Sequence, residues 1–152
     1  MNRIEKEDYI IGYVSLIANK ITLFGDAILP DITFKQWFLL MMISKMELRE
    51  KNLNSIAEFV GTTRQNVKKM LTPLASKGYV TIAKSTWDAR ALKVELTEKT
   101  YQYFAENDEP TAREADKLFA AFSDTEIDSL VYSLKKLLSC FATYPQGSKN
   151  NE

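Results

Sequence analysis

A chain of 152 residues that is 45% hydrophobic can fill the core of one globular unit and still extend arms beyond it. It carries 20 Lys and Arg against 20 Asp and Glu, no His and one Cys, so the commonest general base, a disulfide framework and a zinc or copper ligand set are all missing. The charge is unevenly spread: residues 51–100 hold nine Lys and Arg against four Asp and Glu, a basic middle between acidic flanks.

The amino-terminal arm comes first. Ile10, Val14, Ile17, Ile21, Phe24 and Ile28 alternate steps of four and three, which predicts a helix with a narrow apolar seam about five turns long that needs a partner helix. The charged start (Arg3, Glu5, Lys6, Glu7, Asp8) is unlike a secretion signal, and the longest apolar run, Trp37 to Ile43, is too short to span a bilayer. No membrane partner is therefore expected, and a cytoplasmic location suits the lone Cys140. A second helix is predicted from about Thr33, which forms a capping box with Gln36, to about Glu50; Trp37, Phe38, Leu39, Leu40, Met41, Met42 and Ile43 make it apolar nearly all round, as a central core helix is.

Residues 53–97 carry the chemistry. Asn54 or Ser55 is placed to cap a short helix whose apolar stripe is Ile56, Ala57, Phe59 and Val60, and Gly61 ends it with a turn that a residue lacking Cβ makes easily. Thr63 is the expected cap of a helix from Arg64 to about Lys77. Its Val67, Met70, Leu71 and Leu74 face inward, while Arg64, Gln65, Asn66, Lys68 and Lys69 crowd the exposed side of the amino-terminal half. Arg can bond a guanine edge twice, Gln and Asn can pair with adenine, and Lys can neutralise a phosphate, so this surface is suited to reading a major groove. Pro73 should bend the carboxy-terminal half and leave the first two turns alone. After Gly78, the alternation of residues 79–84 and of Leu92 to Leu96 predicts a two-stranded hairpin with Lys84 at its base and Ser85-Thr86-Trp87-Asp88-Ala89-Arg90 at its tip. There the Asp88 carboxylate is expected to hold the Arg90 guanidinium out toward a narrow minor groove.

The runs Gly61-Thr62-Thr63-Arg64-Gln65-Asn66-Val67-Lys68-Lys69, Lys77-Gly78-Tyr79-Val80, Asp88-Ala89-Arg90 and Leu96-Thr97-Glu98-Lys99 resemble the winged-helix core of the MarR (multiple antibiotic resistance regulator) family of bacterial transcription factors. Long apolar helices on both sides extend the likeness over nearly the whole chain. Ser85, Thr86 and Trp87 depart from it, standing where family wings often carry further cations. The resemblance implies double-stranded DNA as partner, contacted by Thr63, Arg64, Gln65, Asn66, Lys68, Lys69, Lys84, Ser85, Asp88 and Arg90. It also implies a pocket for a small aromatic or anionic effector at the junction of arms and DNA lobe, which Trp37 and Met41 could line, although an aromatic and Met-rich helix is more often plain core, and no effector residue is assigned.

Beyond the core, Thr97 is expected to cap a long helix reaching Phe122, kinked or briefly broken at Asn107-Asp108-Glu109-Pro110. A capping box, Ser123 with Glu126, opens a last helix striped by Ile127, Leu130, Val131, Leu134, Leu137, Leu138 and Phe141, with Cys140 read as an inert core thiol; Pro145-Gln146-Gly147 should stop it. The organisation expected is mainly α (α+β): a dimerisation helix over 1–32, a winged helix-turn-helix lobe over 33–97, connecting and dimerisation helices over 98–145, and a disordered tail over 146–152. Ile10, Val14, Ile17 and Ile21 with Leu130, Leu134, Leu137 and Phe141 would join two copies, although both stripes burying on their own core would give a monomer. A twofold dimer presents two reading helices about 34 Å apart, matching successive major grooves of a palindromic operator. A homodimeric regulator, a repressor released by its effector, is the reading favoured; a winged-helix protein-interaction module without DNA binding is the alternative. With no catalytic residue, metal ligand set or cofactor motif in view, an enzyme is not expected.

Overall fold

The computed structural model describes residues 1–88 and 90–143, so Ala89 in the expected wing tip, the Pro145-Gln146-Gly147 stop and the tail lie outside the described residues. The chain divides into two compact units, Met1–Ala112 and Arg113–Glu152.

In the first unit α1 runs Arg3–Ile28, opened by an Asn2 and Glu5 capping box. Most of its side chains are exposed, and Ile10, Val14, Ile17 and Ile21 keep between 39% and 50% of their surface. Contrary to the expectation drawn from uninterrupted apolar runs, α1 is long and apolar enough, by length and composition, to cross a membrane. Tyr, Ser, Asn and Gly interrupt its aliphatic residues, yet Lys20 is the sole charge between Tyr9 and Gly25.

The second helix, α2 (Phe34–Lys45), begins with the expected capping box and buries Leu39, Leu40 and Ile43 completely. It ends sooner than expected. Met46 is extended and buried, and the chain then enters a two-residue strand, β1 (Lys51–Asn52), whose pairing competes with further helix. Next come α3 (Leu53–Val60) and α4 (Arg64–Ser76). The cap of α3 is Asn52, with Ser55 three residues on as its reciprocal partner, in place of Asn54 or Ser55. Gly61 closes α3 at φ 75°, and Thr63 caps α4 by accepting the Asn66 amide. The α4 helix runs through Pro73 to Ser76.

Strands β2 (Val80–Lys84) and β3 (Leu92–Leu96) form the hairpin, in register Ile82 to Val94, and β1 adds a third antiparallel strand on the far side of β3. One core joins these elements: Leu39, Leu40, Ile43, Ile56, Val67, Leu71, Leu74 and Val94 are wholly or almost wholly sealed from water. Each such aliphatic side chain contributes roughly 1.5–3 kcal/mol. Phe59, assigned to the buried stripe of its helix, is instead 47% exposed, because Ile56, Ala57 and Leu53 already fill the face of α3 that meets the core.

The linker between α1 and α2 is tied to the end of α4. Asp31 sits at φ 65°, accepts from the Tyr79 hydroxyl (2.6 Å) and pairs with Lys77 (3.2 Å), whose ammonium also reaches the Asp31 carbonyl. The fifth helix, α5 (Glu98–Phe119), docks here too: Tyr103 donates to the Pro30 carbonyl (2.8 Å) and buried Thr100 to that of Tyr79 (2.5 Å). Burial pushes the Tyr103 hydroxyl up to about 12 and raises Tyr79 as well, so both stay protonated donors. Thr97 does not cap α5 with its side chain; its hydroxyl donates to the carbonyls of Gly78 and Tyr79. Nor does Pro110 break the helix. Proline there removes the amide that would bond the Glu106 carbonyl; in the adjoining turns Asn107 bonds back to the Tyr103 carbonyl and the Thr111 hydroxyl to that of Asn107.

The second unit contains α6 (Asp124–Cys140), opened by the Ser123 and Glu126 capping box, and a short 3-10 turn, Phe141–Thr143. No residue of α6 is buried, and Leu130, Leu134, Leu137 and Phe141 keep 38% to 60% of their surface. Cys140 is exposed rather than part of a core, its thiol directed at the Lys136 carbonyl.

Candidate nucleic-acid interface

Two faces of α4 do different work because its apolar residues recur every three or four positions. Val67, Leu71 and Leu74 are fully buried and anchor the helix, which leaves Arg64, Gln65, Asn66, Lys68 and Lys69 together in solvent on its first two turns. Thr63 fixes where that surface starts, and Asn66 also bonds the Thr62 hydroxyl (3.3 Å). All five residues stay exposed and outside the protein's own core.

The wing flanks the start of α4. Arg64, Asp88 and Arg90 line one open cleft of about 260 Å³ with Asn52 and Asn54, so α4 and the hairpin tip share a rim bearing two cations. Lys84 is exposed at the end of β2. The Asp88 carboxylate does something other than expected: it accepts the Arg90 backbone amide (2.9 Å), a two-residue side-chain turn that shapes the tip and leaves the guanidinium free of it. Ser85 is engaged inside the turn, its oxygen receiving the amides of Trp87 and Asp88 (3.1 Å each).

One residue that sequence reasoning passed over organises the wing. Glu50 accepts from the hydroxyls of Ser85 (2.5 Å) and Thr86 (2.5 Å) and from the Thr86 amide (3.3 Å), pinning the tip to the segment before β1. The Ser85 and then the Thr86 hydrogen bonds hold its carboxyl below the usual carboxylate range. Thirty-five residues separate Glu50 from Ser85, and no local signal in the sequence links them.

A second cleft, about 540 Å³ and mostly apolar, is lined in part by α4. Phe38, Leu39, Val60 and Met70 line it, with Lys35, Asn66 and Lys69 among its polar residues; Trp37 and Met41 are not in its lining.

A helix-turn-helix joined to a pinned hairpin, with α1 before it and α5 after it, matches known architectures. The Acinetobacter sp. ADP1 transcriptional regulator of the MarR/EmrR family superposes with a TM-score of 0.74, covering 90% of this chain and 96% of that one at 19% identity. The fold is that of the MarR family. Staphylococcus aureus MepR, in its complex with DNA, matches with a TM-score of 0.73 over 85% of this chain and 95% of that one, at 21% identity. In sequence, the transcriptional repressor MprA of Escherichia coli K12 is 30% identical over 104 residues, 66% of this chain. The chain spans 59% of the length of that relative. No protein-family model matches it.

Proposed function

We propose that the chain is a sequence-specific DNA-binding transcriptional regulator, a repressor, that works in the cytoplasm as a homodimer on a palindromic operator. The observation that carries this reading is the division of α4: three fully buried aliphatic anchors on one side and five exposed polar or cationic residues on the first two turns of the other. A protein-binding face is built the other way, around exposed aromatic or aliphatic anchors. Arg64, Gln65 and Asn66 read base edges, Lys68 and Lys69 meet phosphates, and Lys84 and Arg90 extend the contact from the wing toward the minor groove. The exposed stripes of α1 (Ile10, Val14, Ile17, Ile21) and of α6 (Leu130, Leu134, Leu137, Phe141) are each covered by a second copy. A small aromatic or anionic effector releases the operator; the apolar cleft under Asn66 and Lys69 suits such a molecule, since Lys35 and Lys69 on its lining complement a carboxylate.

The test is a titration against the DNA upstream of the protein's own gene, with unrelated duplex as competitor, at two salt concentrations. A specific complex that survives competitor, with stoichiometry of two chains per site, is the expected result; equal affinity for both duplexes at each salt would leave charge attraction alone and remove the proposal.

A further inference from the structure

The wing lacks extra cations where Ser85, Thr86 and Trp87 stand, but a cation reaches this place from elsewhere in the chain. The Arg49 guanidinium lies 4.4 Å from the centroid of the Trp87 ring. Arg49 comes from the segment just before β1, and Trp87 is 68% exposed at the hairpin tip. Their meeting is arranged by neighbours: Glu50, the next residue after Arg49, holds Ser85 and Thr86, and Ser85 holds the amide of Trp87. Among the described residues Arg49 forms no salt bridge.

The 4.4 Å separation admits a guanidinium lying face-on to the indole, an arrangement that keeps the N–H groups directed outward in its own plane. That leaves a two-pronged donor edge, the geometry that fits phosphate oxygens. Glu50, its neighbour in sequence, already accepts three hydrogen bonds from the wing. We propose that Arg49 and Trp87 form a phosphate-binding arm of the DNA interface, in which Arg49 contacts the backbone and Trp87 acts as the positioning residue that supplies the platform. The wing thereby recovers a cation that its own tip does not encode. This rests on the DNA-binding reading above.

The experiment measures binding of the full chain to its specific duplex and to random duplex across a salt series. Arg49→Ala should weaken both duplexes alike, roughly 5- to 10-fold near physiological salt, and lower the magnitude of the log–log salt slope by about one unit per protomer. Arg49→Lys should restore the slope and only part of the affinity, because a point charge replaces the fork. Trp87→Ala should reproduce part of the loss, Trp87→Phe should recover most of it, and Arg49→Ala combined with Trp87→Ala should bind no worse than Arg49→Ala. Thermal melts of the same variants separate a folding defect from a binding one, since both side chains are exposed and a purely structural stack would shift the melt and leave the slope alone. An unchanged salt slope for Arg49→Ala, with wild type still binding its specific duplex, overturns this inference and spares the regulator. Failure of the wild type to bind any duplex overturns both.

Discussion

Gly25, in α1, faces Phe34 so closely that a Cβ built on it would stand 2.2 Å from the ring Cδ2, 2.6 Å from Cγ and 2.7 Å from the Phe34 Cβ. Two opposing effects meet in Gly25→Ala. Alanine in a helix interior gains about 1 kcal/mol over glycine in backbone propensity. Against this stands overpacking, typically about 1–3 kcal/mol. Here the upper part of that range applies, because turning the ring about the Cβ–Cγ bond relieves only the first contact, swinging the side chain about χ1 relieves the second, and neither relieves the third. The Phe34 Cβ moves only with its backbone, and that backbone is tied down by the Asp26 carboxylate on its amide (2.7 Å) and by the Thr33 and Gln36 capping box. A net destabilisation of about 1–2 kcal/mol is expected, which for a chain of this length lowers the melting temperature by roughly 3–8 °C. Urea unfolding and thermal melts measure it. The same substitution made in a Phe34→Gly background should reverse sign and stabilise by up to about 1 kcal/mol, since all three contacting atoms are gone. If Gly25→Ala raises the melting temperature of the otherwise unaltered protein, or lowers it equally in both backgrounds, the close approach of α1 to α2 is not what constrains this position.

Asn66→Ala should cost about 1–3 kcal/mol on the preferred operator and little on random DNA, whereas Lys69→Ala should weaken all sequences and flatten the salt slope by about one unit; anisotropy titrations decide, and equal losses for Asn66→Ala would end its assignment as a base reader. Arg90→Ala should act mainly at AT-rich flanks, where the minor groove is narrow, and unchanged affinity on such sites would remove the wing contact. Gly61→Ala meets open space but must adopt φ 75°, so the melt should report a loss of about 1–2 kcal/mol of purely backbone origin. Asp31 is held below the ordinary carboxylate range, first by the Tyr79 hydroxyl and then by Lys77. Because its folded value is depressed, its stabilisation is complete above the unfolded value of about 3.9 and disappears as pH falls through the folded one. The gap in melting temperature between wild type and Asp31→Asn, a change that tolerates the left-handed backbone, should therefore be full near neutrality and close below about pH 4; a gap constant into acid would mean that the charge of Asp31 is not what stabilises the linker.

What could be read from the chain is what depends on near neighbours. The caps Thr33 with Gln36, Thr63, and Ser123 with Glu126 act across three residues, Gly61 acts on its own φ, and the three-and-four spacing of Val67, Leu71 and Leu74 is a property of helical pitch. Those short-range rules suffice to set the exposed polar and cationic face of α4 opposite its buried anchors. Errors arose where two local options were nearly equal or where a distant partner chose between them. Asn52 rather than Asn54 caps α3 because β1 pairs with β3 and brings the chain into the helix two residues earlier. Asp88 turned to the nearest donor, the Arg90 amide, in preference to a long guanidinium. Pro110 stays inside α5, whose adjoining turns carry side-chain bonds from Asn107 and Thr111. Glu50 on the wing, Asp31 against Lys77 and Tyr79, and Arg49 on Trp87 join residues between 35 and 48 positions apart. Periodicity and capping involve a few adjacent dihedrals and so leave a trace in the order of residues; a contact across dozens of positions exists only after the core has set the backbone, and tertiary structure alone decides it.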